Sequence, residues 1–214
     1  MIPSINLAGS FSGSYASAAY ALWNSADKTS NLVLSNGDAT ADVNGFSHES
    51  VRSSVNTLNT SNGRKLYWEI LIDALVTDTN IFLGLYRSSQ PMLSSTSIIG
   101  LGAHAIWRGS NARYITGGWA NVNLVSSYAA GDITMWALDE ANGKLWTGKN
   151  GTWNASGDPG AGTNETWNSM PSAEDTAIVF GTDNSGDQAK CTLIADSADL
   201  TYSAPSGFTA GLLA

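Results

Sequence analysis

The run from Gly131 to Gly151, GDITMWALDEANGKLWTGKNG, limits what this chain can fold into more than any other stretch. Two segments rich in β-branched and aromatic residues, DITMWALD and KLWTGKN, flank Asn142-Gly143, a pair that tolerates the positive backbone angles of a tight reversal. The run is therefore predicted as a β-hairpin, with Asn150-Gly151 ending the return strand. Along the first strand Ile133, Met135 and Ala137 point to one side, while Thr134, Trp136 and Leu138 point to the other. Neither side is wholly polar. Such a strand belongs inside a two-layer sandwich, one side in the main core and the other under a loop or a partner. Trp136 and Trp146 are accordingly assigned to packing.

The same signals recur along the chain. Asn36-Gly37, Asn44-Gly45 and Asn62-Gly63 mark three more reversals. GRKLYWEILIDAL is the clearest strand, with Leu66, Trp68, Ile70 and Ile72 on one face and Tyr67, Glu69, Leu71 and Asp73 on the other. NIFLGLY is predicted to pair back on it across a short polar link, and AIVFGTD, AKCTLIA and YSAPSGF are predicted as the last strands. TWNASGDPGAGTNETWNSMPSAED is read as a long loop pinned by Trp153 and Trp167. Only 13% of the 214 residues are charged and 22 are glycine, a profile of many short strands joined by turns. These observations predict an all-β fold, a two-sheet antiparallel β-sandwich over residues 23–214, preceded by an extended N-terminal arm over residues 1–22. The arm is small and polar, with Phe11, Tyr15 and Tyr20 as anchors, and is expected to dock on the domain or on a neighbouring subunit.

Charge and cysteine content exclude several classes. A net charge of −8 and a pI near 4.5 would repel a phosphate backbone, so nucleic acid is not an expected partner. Cys191 is the single cysteine, which forbids an internal disulfide and a clustered zinc site. No run reaches membrane-spanning length and no signal peptide is recognisable, so the chain is expected in the cytoplasm or exported by a non-classical route. Glu69 and Asp73 share a strand face, but four residues of strand separate them by about 13 Å. Paired hydrolytic carboxylates stand roughly 5–9.5 Å apart. Asp183, Ser185 and Asp187 in GTDNSGDQ alternate like calcium ligands, yet Gln188 stands where the loop glycine is required, so a polar turn is the expectation. His48 and His104 have no acid or thiol cluster around them, and Gly100-Leu101-Gly102 lacks the βαβ unit of a dinucleotide site. No cofactor and no metal is expected. The remaining candidates for binding are Trp107, Arg108, Arg113, Tyr114 and Trp119, placed in or beside loops, because these residue types form interface anchors or stack on sugars.

Read together, GRKLYWEI, IFLGLY, GDITMWALDEANGKLWTGKNG and APSGFTA resemble the SPRY domain. The matching positions are Gly63, Tyr67, Trp68 and Glu69, then Gly131, Asp132, Leu138 and Asp139, then Lys149, Asn150 and Gly151. WNSADKTSNLVLSNGDATAD and GTWNASGDPGAGTN resemble the form carried by bacteriophage structural proteins, and the likeness covers about residues 23 to 210. One departure stands out: CTLIADSADLTY replaces the family's Asn-Phe-Gly near the last strand, which leaves the end of the sheet open to rearrangement. The resemblance implies a bent, concanavalin-like sandwich that binds partners through its loops without catalysis. The expected function is that of a non-enzymatic virion protein, in capsid decoration or the tail, assembled in the host cytoplasm. Its expected partners are other virion subunits or further copies of itself. The alternatives are a host-surface glycan receptor module and, behind it, a glycan hydrolase.

Overall fold

The computed structural model describes residues 19–45, 48–76, 80–92, 103–109, 112–115, 118–120, 127–168, 170, 174–184 and 186–214. Fifteen strands lie within them: β1 Trp23–Lys28, β2 Val33–Ser35, β3 Thr40–Asn44, β4 Ser50–Ser53, β5 Lys65–Leu75, β6 Ile81–Arg87, β7 Ala103–Arg108 and β8 Ala112–Ile115, followed by β9 Gly118–Ala120, β10 Ile133–Asp139, β11 Lys144–Lys149, β12 Thr152–Trp153, β13 Thr176–Thr182, β14 Gln188–Ile194 and β15 Thr209–Ala210. They form two sheets. One runs β1-β4-β13-β6-β7-β8-β9, and the other runs β12-β11-β10-β5-β14-β3-β2 with β15 also on β5. All pairings are antiparallel except that of β15. The predicted two-sheet antiparallel sandwich is the observed fold.

The central hairpin forms as its turn chemistry predicts. β10 and β11 pair from Thr134 with Lys149 to Asp139 with Lys144, leaving Glu140–Gly143 as the reversal. Gly143 takes φ +61°, and the Asn142 backbone and side-chain N–H groups donate to the Asp139 carboxylate at 3.1 and 2.9 Å. Alternation along β10 and β5 then divides the side chains between two environments. Leu66, Trp68, Ile70 and Ile72 join Trp136 and Leu138 in the main core, facing Leu83, Leu85, Trp107, Ile178 and Phe180 of the other sheet. On the reverse side Tyr67, Met135, Ala137 and Trp146 pack with Phe208, with half-buried Trp153 and Tyr202 against them. Both faces of the hairpin are buried, as expected of a strand with no polar side. Trp146 thus belongs to the outer layer, whereas Trp167 from the long loop reaches the main core.

Three expectations need correction. NIFLGLY does not pair back on β5: β6 lies in the other sheet, between β13 and β7. Every residue of β6 from Ile81 to Tyr86 is buried, and a strand covered on both faces carries no local mark of its neighbours. YSAPSGF is not a strand; it is a bent strap whose Phe208 packs on Trp146, and pairing begins only at Thr209. Asp73 does not continue the β5 alternation cleanly, because the pairing with β14 skips from Ile72 opposite Cys191 to Ala74 opposite Lys190, a bulge. AKCTLIA, where the departure from the family pattern falls, forms β14 between β3 and β5. Close approach of the neighbouring strand β7 explains Gly84, which lies opposite Ile106 in the same sheet: a Cβ there would collide with the Ala105 carbonyl oxygen and with Ile106.

Candidate interaction surface

Where the arm joins the body, Ala19–Leu22 runs antiparallel to Leu212–Ala214. Ala21 N–H donates to Leu212 O at 2.9 Å, Ala214 N–H donates to Ala19 O at 2.8 Å, and Tyr20 bridges to Leu213. Leu212 N–H in turn donates to Ala195 O at 2.8 Å, and the Tyr20 hydroxyl sits 3.3 Å from Ser197 Oγ. Gly211 makes this crossing possible: its φ is +83°, and a Cβ would strike the Ala195 carbonyl. Ala21 and Leu212 are buried by the ladder, whereas Leu22 and Leu213 remain 39% and 58% exposed. Clefts open on both sides. One of about 520 Å³ is lined by Tyr20, Leu22, Asn36, Ala39, Ile194 and Asp196. The other, about 350 Å³, is lined by Val55, Arg64, Lys65, Leu66, Leu212 and Leu213.

The residues predicted for binding are not gathered there. Trp107, the penultimate residue of β7, is a core residue with no exposed surface, set edge-on to Tyr128 and tilted against Trp136. The sequence places it in or beside a loop as a candidate for binding; it stands one residue from the end of β7, and its ring packs in the core. Arg108 ends the same strand and pairs with Asp183. That pair, with Asp187 buried and accepting from Thr182 Oγ1 at 3.4 Å, makes GTDNSGDQ a structural turn; Ser185 lies outside the described residues. Arg113 and Tyr114 lie on β8 and Trp119 on β9, where Tyr114 is registered opposite Trp119 and Arg113 opposite Trp107. Phe11 and Tyr15 fall outside the described residues, and Tyr20 stands at the root of the arm.

Carboxylates do structural work around the hairpin. Glu69, fully buried, accepts from the Tyr67 hydroxyl at 2.6 Å and from the N–H groups of Thr201 and Tyr202, both at 2.8 Å, tying the C-terminal strap to β5. Asp73 is exposed and accepts from Thr192 Oγ1 at 2.7 Å, so Glu69 and Asp73 do not face one cleft. Glu140, also fully buried, takes the Arg64 guanidinium at 2.7 and 2.8 Å and the N–H groups of Asn59 and Arg64 at 3.2 and 3.0 Å. Arg52 clamps Asp27 at 2.7 and 2.8 Å while donating to the carbonyls of Arg87 and Ser88. Among the described residues no three His, Cys, Asp or Glu side chains are grouped to hold a metal ion. No helix among them is long and apolar enough to cross a membrane.

Two hairpin aspartates make stability depend on acid. Burial pushes Asp132 and Asp139 up, but hydrogen bonds outweigh it: Ala129 N–H, the Asn150 amide and Lys149 at Asp132, and the Asn142 amide and Lys65 at Asp139. Both carboxyls are held below their usual range. Their contribution is complete above the unfolded value near pH 4 (about 3.9) and is lost as pH falls through the depressed folded values. Glu49 acts in the opposite sense: burial raises it, so protonation on acidification favours the folded form. Urea midpoints followed down from about pH 5 are expected to fall less steeply in Asp132→Asn plus Asp139→Asn than in the unaltered chain. An equal slope would mean that these two groups do not govern the acid limb.

Two stacked antiparallel sheets, a buried hairpin and a strap closing back over β5 define a two-layer β-sandwich with no paired-acid cleft among the described residues. Its fold is that of the SPRY domain. The SPRY domain of human HERC1 superposes with a TM-score of 0.63 at 15% identity, covering 80% of this chain and 96% of that one. A second human SPRY domain gives 0.52 at 13% identity over 77% of this chain and 94% of that one. The TRIM65 PSpry domain is less similar in sequence, with a TM-score of 0.50 and 12% identity over 83% of this chain and 93% of that one. No family model and no curated protein matches the sequence.

Proposed function

We propose that this chain is a non-enzymatic binding module of a bacteriophage virion, acting in capsid decoration or in the tail, with residues 1–22 as its docking arm. The observation that carries the binding reading is the root of that arm, where Leu22 and Leu213 leave apolar surface exposed beside clefts of about 520 and 350 Å³. Strand-like contact between Ala19–Leu22 and the C-terminal segment gives the arm a fixed point of departure toward a neighbouring subunit. The phage setting is supported by the sequence segments WNSADKTSNLVLSNGDATAD and GTWNASGDPGAGTN. In this reading the partners are other virion subunits or further copies, and the site of action is the particle assembled in the host cytoplasm.

The test removes residues 1–18 and spares Ala19–Leu22, whose backbone bonds belong to the body. The truncated protein is expected to melt as the full chain does, yet to be missing from purified particles by mass spectrometry. Undiminished incorporation would refute the arm as the docking element. A full-length protein absent from particles that binds host-surface glycans, and loses that binding in Trp119→Ala, would establish the receptor alternative instead. Trp107→Ala cannot serve this purpose, because Trp107 supports the core.

A further inference from the structure

The chain holds five Asn-Gly pairs, at Asn36, Asn44, Asn62, Asn142 and Asn150. In such a pair the glycine, lacking a side chain, offers the least hindered backbone nitrogen for attack on the asparagine amide. Whether the attack occurs in a folded protein depends on how tightly that amide is held. Four of the five are tied. Asn44 Nδ2 donates to Asn31 O at 3.2 Å, Asn62 Nδ2 to Thr57 O at 2.6 Å and Asn142 Nδ2 to Asp139 at 2.9 Å. Asn150 is held twice, by Ile133 N–H at 2.8 Å and through its Nδ2 to Asp132 at 2.6 Å. Among the described residues the Asn36 side chain makes no hydrogen bond, and it stands exposed in the reversal between β2 and β3.

The surroundings of the following glycine separate the pairs again. Gly45, Gly143 and Gly151 are approached by Gln188, by Met170 and Thr60, and by Tyr202, whereas Gly37 and Gly63 face open space. Only the Asn36-Gly37 pair combines an unheld amide with an open glycine. We propose that Asn36 is a site of spontaneous deamidation that precedes the other four. The Gly37 nitrogen bonds to the Asn36 side-chain carbonyl carbon, the bond from that carbon to the amide nitrogen breaks, and ammonia leaves with the proton given up by Gly37. Water then opens the cyclic imide at one of its two carbonyls, giving aspartate or isoaspartate.

The product changes a surface described above. Asn36 lines the larger cleft together with Asp196 and Asp199, so the new carboxylate adds to a rim already acidic. The isoaspartate form also inserts a methylene into a reversal in which Asn36, Gly37 and Asp38 all hold positive φ, of 53°, 63° and 69°. Edge strand β2 is the element this would loosen.

The experiment holds the full-length protein at mildly alkaline pH and body temperature, and follows each Asn-Gly peptide by mass spectrometry and isoaspartyl methyltransferase labelling. A parallel sample in denaturant removes the folded restraints. In denaturant the five pairs are expected to react at similar rates, and in the folded protein Asn36 is expected to lead the next by about fivefold or more, the factor that one ordinary hydrogen bond confers. Asn62 or any other pair reacting first in the folded state, five equal rates there, or no reaction at Asn36 would each overturn the proposal.

Discussion

Replacing Trp136 by alanine is expected to destabilise the domain by about 3–5 kcal/mol, the range for emptying a buried tryptophan site. The residue is the junction of the interior. Its ring stacks against Trp68 of β5 at 6.1 Å and against Trp167 of the long loop at 6.4 Å, and is tilted against Trp107 of the opposite sheet at 6.3 Å. Each such aromatic pair adds about 0.5–1.5 kcal/mol beyond the area it buries. Its Nε1 donates to Thr134 Oγ1 at 3.0 Å, and that hydroxyl donates to Ile70 O at 3.1 Å, so the change also removes a buried donor from a closed chain. Among the described residues the Nε1 groups of Trp68, Trp107 and Trp167 have no hydrogen-bond partner, so packing rather than hydrogen bonding holds those three rings. Urea denaturation is the measurement. Trp153→Ala, in the half-buried outer layer, is expected to cost less, and a loss below about 1 kcal/mol at Trp136 would contradict its role as the junction.

Glu140→Gln is expected to cost about 3 kcal/mol although it barely changes shape, because the side chain would carry an N–H where an acceptor is needed. Both carboxylate oxygens are occupied, by two groups of the Arg64 guanidinium and by two backbone N–H groups that close the turns at Asn59 and Arg64. Arg64→Ala is expected to be milder. The Arg64 side chain is 38% exposed and Glu140 not at all, so removing the arginine lets water approach a carboxylate that still has its backbone donors. Equal losses in the two variants, again from urea midpoints, would assign the stabilisation to the ion pair alone.

The sequence makes β5 and the central hairpin legible because their alternation runs over many residues and their ends carry Asn-Gly. It also discloses that both faces of β10 are covered, since neither is polar. What it withholds is long-range partnership. Nothing near Ile81–Arg87 states that β13 and β7, rather than β5, lie beside it. Asp27 and Arg52 are distant in sequence, as are Glu69 and the strap that it holds, and a charged residue reads as surface until its partner is found. Glu140 sits directly after the Leu138-Asp139 motif without belonging to it, and its weight comes from Asn59 and Arg64 arriving from another turn. Tyr20, read as an anchor of the arm, meets Ser197 and Leu213, residues too far along the chain for the sequence to have named them. Trp107 reads as a binding candidate although it is buried, because aromatic character is shared by interface and interior alike.

The ladder between Ala19–Leu22 and Leu212–Ala214 has a mechanical corollary. Both chain ends leave it from the same rung, since Ala214 N–H is bonded to Ala19 O. Tension applied between whatever is attached at the two ends would load those bonds one after another, each of about 1 kcal/mol, instead of all at once. The seam would unzip at low force and let Leu212 and Ala21 out of the interior, while the sheets behind it, loaded only afterwards, keep their shape. A tethered copy of this domain would therefore yield at its hem first, lengthening slightly as a shock absorber does before the body gives way.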